Sequence, residues 1–160
     1  VTSLPSRAVG EDERTLLVLA GARILLGVLW LANLAWKLPP DFGRDDPEGL
    51  LYSFELAADH AVVEPLRTLA ADVLIPHFTL FGWLVFLVEL VVGLSLALGL
   101  WTRIGALLSV VQAIVITLLV VRAPDEWVWT YVLLIALSLV VALTPSGARL
   151  SLDARLERRG

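Results

Sequence analysis

The sequence predicts an all-α fold: a four-helix transmembrane bundle with one or two amphipathic surface helices in the long loop between the first and second spans. Three observations predict it. First, 58% of the 160 residues are hydrophobic and the mean hydropathy is +0.84; a soluble domain runs at about 45–50% apolar, so the excess calls for a second apolar solvent, lipid. Second, four apolar runs approach the roughly 20 residues a helix needs to cross a bilayer. Third, each run is bounded by charges, prolines or glycines that stop a helix.

Residues 1–14 are polar and mixed in charge, and are expected to form a flexible cytoplasmic tail. The first span is expected over about 15–38, halted by Pro39 and Pro40, because proline lacks the N–H a helix interior requires. Arg23 falls inside this span. Only residues 24–36 separate it from Lys37, about 20 Å of helix and too short to span alone. Residues 39–77 form an outer loop too polar to cross, with eight acids between Asp41 and Asp72. Leu50, Leu51, Phe54, Ala57 and Ala58, then Val63, Leu66, Leu69, Ala70 and Val73, recur at helical spacing. They predict two short helices lying on the membrane face.

The remaining spans are expected at about 78–101, 104–121 and 127–143, followed by a basic cytoplasmic tail over 148–160. Trp127, Trp129 and Tyr131 occupy an interfacial aromatic belt. Four spans place both termini on one side. That side holds eight cations (Arg7, Arg14, Arg23, Arg103, Arg149, Arg155, Arg158, Arg159), against Lys37, Arg44, Arg67 and Arg122 on the other. The positive-inside rule then puts both termini in the cytoplasm.

Glu89 is the residue out of place. A carboxylate at the centre of a span costs at least about 2.5 kcal/mol and marks a packed or functional site. Counting 1.5 Å per residue from the cytoplasmic helix ends places Arg23 about 12 Å deep, Glu89 about 18 Å and Gln112 about 12 Å. Small residues share their faces: Ala20 and Gly27 with Arg23; Gly82, Gly93 and Ala97 with Glu89; Gly105 and Ser109 with Gln112. Such faces pack helix against helix. A buried polar site of Arg23, Glu89 and Gln112 is therefore expected, with Arg23 and Glu89 in reach of each other. Two readings stay open: an ion pair that fixes helix register, or a pocket for a small polar or quinone head group. Asn33, Trp36 and Lys37 would form its outer mouth, or serve as interface anchors.

The absence of cysteine excludes disulfides, CxxC redox chemistry and thiolate metal sites. The histidines, His60 and His77, both sit in or beside the outer loop, away from the bundle interior where a haem-binding pair would face. No metal site and no covalently bound cofactor is expected. No phosphate loop, nucleophile elbow or HExxH pattern occurs, and no basic tract points to nucleic acid.

The order of motifs resembles a known family. An Arg early in GARILLGVLWLANLAWKL precedes the Glu of VELVVGLSLALGLWTR, then RIGALLS, then the ending LTPSGARLSLD. Over roughly residues 16–157 this resembles the DoxX family, the DoxX/DoxD-like small four-helix bacterial membrane proteins. Gly147, Arg149, Ser151, Leu152 and Asp153 carry the strongest local match. Asn33 within ANLAWKL departs from the glycine often found before the Lys that ends the first helix, and the outer loop is long. The resemblance implies a bacterial inner-membrane subunit of a redox system, quinone-linked, drawing electrons from a protein partner or larger complex. The rival expectation is an accessory or scaffold subunit that docks a partner through its acidic loop; a homo-oligomer fits either.

Overall fold

The computed structural model describes residues 6–157. Its first helix, α1, spans Ser6–Asn33, so it begins within the segment expected as a flexible tail. The charged residues before Thr15 are adequate helix formers and continue the helix inward; residues 1–5 lie outside the described part. At its other end α1 stops at Asn33 rather than Leu38. The chain tightens through short-range bonds from the Leu34, Ala35 and Lys37 amides to carbonyls three residues back, at 3.0–3.1 Å. Leu38 precedes Pro39, which disfavours helical backbone there.

The loop contains α2 (Leu50–His60) and α3 (Glu64–Leu69), the latter running into a π turn over Ala70–Leu74. Three helices follow: α4 (Phe78–Leu98), α5 (Thr102–Val120) and α6 (Val128–Leu143), with a short α7 (Leu152–Glu157). No strand occurs among the described residues. Three stretches are long and apolar enough to cross a membrane: Asp12–Asn33, Phe78–Leu98 and Thr102–Val120. Val128–Leu143 is a shorter apolar helix. Outward-facing Leu25, Leu84, Leu107 and Leu133 are exposed, giving an apolar outer surface of the kind a bilayer solvates.

The close approach of α1 and α4 sets the register of the molecule. A side chain at Gly27 would collide with the backbone of Ala97 and Gly93, and Leu31 rests on Gly93. The two helices run antiparallel, so each step along α1 toward the loop is a step back along α4. Asn33 consequently falls level with Glu89, midway along α4. Beyond that level α1 has ended, and the loop fills its place. Fully buried Phe42 lies on Gly82 and meets Phe78 and Trp83 edge-on at 6.4 and 5.3 Å between centroids. Leu50, Phe54 and Ala57 of α2 complete this cluster. The Val62 amide donates to Leu118 O at 2.9 Å, and Arg122 Nη1 donates to Val62 O at 2.9 Å. These bonds tie the loop to the far end of α5.

A second core occupies the other half of the bundle, where Leu26, Trp30, Val92, Leu96, Ala106 and Val141 pack together. Here Trp30 Nε1 donates to Ser109 Oγ, the Ser109 and Ser138 hydroxyls are 2.8 Å apart, and Ser138 Oγ donates to Leu134 O. Each link is an ordinary way to satisfy a polar group between apolar helices.

Candidate functional site

Glu89 is fully buried, and its partner is Lys37 rather than Arg23. Lys37 Nζ donates to Oε1 at 2.6 Å and to Oε2 at 2.8 Å, and Asn33 Nδ2 donates to Oε2 at 3.3 Å. Lys37 Nζ also stands 4.2 Å from the centroid of the Trp36 ring, a cation–π geometry. The three residues expected at an outer mouth are thus the ones that gather at the carboxylate. The turn after Asn33 brings them there, because α1 ends at the level of Glu89 and the next residues fold over it.

The expected contact between Arg23 and Glu89 is not made. Depth counted from Thr15 assumed that α1 and α4 end together at the cytoplasmic side. Instead Arg23 is level with the last turn of α4, well below Glu89. Its guanidinium, 0% exposed, is spent on backbone carbonyls. Nε donates to Ser146 O at 3.2 Å, Nη1 to Leu96 O, and Nη2 to Leu150 O at 2.7 Å. Carbonyls near helix C-termini lack intrahelical donors and carry partial negative charge. One planar fork satisfies carbonyls from the end of α4 and from the segment after α6.

The C-terminal motif belongs to the same clasp. Gly99 ends α4 with φ +68°, a left-handed conformation natural to glycine, and a side chain there would strike Ser151 and Arg23. Ser151 Oγ donates to Gly147 O and accepts from the Ala154 amide. Asp153 reaches across to the start of α5, accepting from the amides of Trp101 and Thr102 at 3.0 Å and from Thr102 Oγ1 at 3.1 Å. Arg149 Nη2 lies 3.3 Å from Glu13 Oε1 on α1. The motif therefore ties α1, α4, α5 and the tail together.

Burial pushes the Asp153 carboxyl up, but the amides of Thr102 and Trp101, the Thr102 hydroxyl and the nearby Arg23 charge outweigh it. They hold the group below its ordinary 3.8. A carboxyl depressed by folding contributes stability that is complete above its unfolded pKa and disappears as pH falls through the folded one. The stability advantage of the wild-type chain over Asp153→Asn is thus expected to be constant near neutrality and to shrink below about pH 4. Thermal midpoints in detergent across that range measure it; an advantage that grew on acidification would contradict the clasp.

Gln112 lies apart from both charges, half-buried, and makes no hydrogen bond among the described residues. What joins it to Glu89 is space. A groove of about 1650 Å³ is lined by Asn33, Trp36, Lys37, Glu89 and Gln112 within mostly apolar walls; Arg23 is not on it. The groove also receives Tyr131, which sequence reasoning assigned to an aromatic belt. Its hydroxyl donates to Glu126 Oε2 at 2.5 Å. His60 and His77 line no part of it, and among the described residues no cluster of His, Cys, Asp and Glu is arranged to hold a metal.

The DoxX family model matches residues 17–122, which cover α1 from Leu17 onward, the loop, α4 and α5, and stop short of α6 and the clasp motif. No curated protein and no solved structure matches the chain.

Proposed function

The chain belongs to the DoxX family of membrane proteins, and from that premise we propose that it is a membrane subunit of a redox system whose groove takes a quinone. The observation that carries this reading is the meeting of Lys37, Glu89, Asn33 and the unpaired Gln112 amide in one apolar groove. Small-molecule sites are concave and mostly apolar, with a few polar groups that fix orientation. An ammonium has three donors. Glu89 engages two, so one Lys37 N–H and the Gln112 amide remain to donate to the carbonyl oxygens of a quinone ring. Trp30 and Trp36 on the groove wall offer flat apolar surface. Arg23 has no part in this site. Electrons would come from a protein partner in the membrane.

In this reading α1, α4, α5 and α6 all span the bacterial inner membrane. The end carrying the Arg23 clasp, with the larger share of cations, faces the cytoplasm, and the acidic loop faces outward. Quinone titration of the purified protein, followed by tryptophan fluorescence, tests the proposal. Wild-type fluorescence should quench saturably. Gln112→Leu should weaken affinity by up to about tenfold, the worth of one hydrogen bond, with an unchanged thermal midpoint. If the wild-type chain shows no saturable quenching, the groove is not a quinone site. An accessory subunit that docks a partner through its acidic loop then becomes the better reading.

A further inference from the structure

We propose that the groove is a vestibule open to water only on the loop side, so that the Lys37–Glu89 pair exchanges protons with that side of the membrane alone. This concerns access to the groove and rests on its reading as the functional site. The lining has a sharp lower limit: it takes α1 only from Leu29 onward, α4 only as far as Glu89, α5 only from Gln112 and α6 only as far as Leu137. Each limit falls at about the middle of its helix or on its loop side.

Below that limit the bundle is closed. Leu26, Val92, Leu96, Ala106 and Val141 are between 0 and 2% exposed, and Arg23 is sealed beneath them. At this level the Ser109 and Ser138 hydroxyls pass their hydrogen bonds sideways into Leu134 O and lead no further down. Above the limit the lining turns polar, through Ser53 and Thr130 to Asp46, Glu48, Asp125 and Glu126. Those four acids make the mouth negative, and a cleft with one sign of charge between low-dielectric walls concentrates counter-ions. Water entering from the loop therefore reaches the groove beside the buried Lys37–Glu89 pair, and none reaches it from the clasp. Protons taken up or released by the pair, or by a ligand beside it, travel through the acidic mouth.

The chain contains no cysteine, so single-cysteine variants give an unambiguous test. Gln112→Cys and Leu134→Cys place a thiol on the groove; Ser109→Cys places one about one turn below Gln112. Each variant is reconstituted into vesicles, with orientation read from protease cleavage of the loop. A membrane-impermeant cationic thiosulfonate is then added to one side at a time. Expected are labelling of Gln112→Cys and Leu134→Cys from the loop side only, and none of Ser109→Cys from either side. The cationic reagent should outpace an anionic one by tenfold or more at low salt, a gap that narrows as salt screens the mouth. Labelling of the groove thiols from the clasp side, from both sides or from neither would overturn the vestibule. No quinone enters the experiment, so its outcome is independent of whether the groove binds one.

Discussion

Glu89→Ala is expected to lower the stability of the purified protein by about 3–5 kcal/mol, because it leaves the Lys37 ammonium buried without its counter-charge. The magnitude separates this pair from ordinary interhelical contacts. Neutral hydrogen bonds between membrane helices average about 0.6 kcal/mol and reach about 1.7 at most; Ser109→Ala should fall in that lower range. Lys37→Met should cost as much as Glu89→Ala, since it strands the carboxylate instead. The double variant Lys37→Met/Glu89→Ala should cost less than the sum, because neither charge is then left unpaired. Unfolding titrations in mixed micelles give all four corners of the cycle. Additive losses would show that the two side chains act independently, and would remove the ion pair from any account of the groove.

The second large effect is expected at Arg23. Arg23→Met removes the donors of three buried carbonyls, and hydrogen bonds to charged groups are worth about 1.5–3 kcal/mol each. Even if one carbonyl finds another partner, a loss of about 3 kcal/mol or more should follow. Arg23→Lys should recover little of it, since an ammonium cannot reproduce a planar fork that serves Leu96, Ser146 and Leu150 at once. The damage should be local. Limited proteolysis should open the chain after α6, around residues 144–157, while the loop bound to α5 stays protected. A quinone affinity reduced by Arg23→Met without any such opening would return Arg23 to the binding site.

These two residues show where sequence reasoning succeeded and where it failed. That Arg23 and Glu89 face inward was legible, because small residues mark the packing face of each helix. That they would meet was inferred from depths counted from assumed helix ends, and a helix end is the least legible feature of an apolar run. A better guide was present: Gly27, Gly93 and Ala97 allow backbones to touch, and such contacts fix register regardless of where helices stop. With Gly27 set against residues 93–97, Glu89 comes level with Asn33, and the chain's single lysine lies one turn beyond. Arg23 then needs other partners. The sequence holds no hint that they are carbonyls, because every residue carries one.

The order of motifs carried the family resemblance, while composition and periodicity alone determined the all-helical class and the long apolar helices. Each depends on local preference and on the apolar excess, which no tertiary arrangement can alter. Only the tertiary structure decided which charges pair, that α1 stops at Asn33 so that the loop completes its half of the bundle, and that the GARLSLD ending is a clasp. These depend on the stagger between helices. A shift of a few residues changes every polar partner in a bundle while leaving its apolar pattern intact.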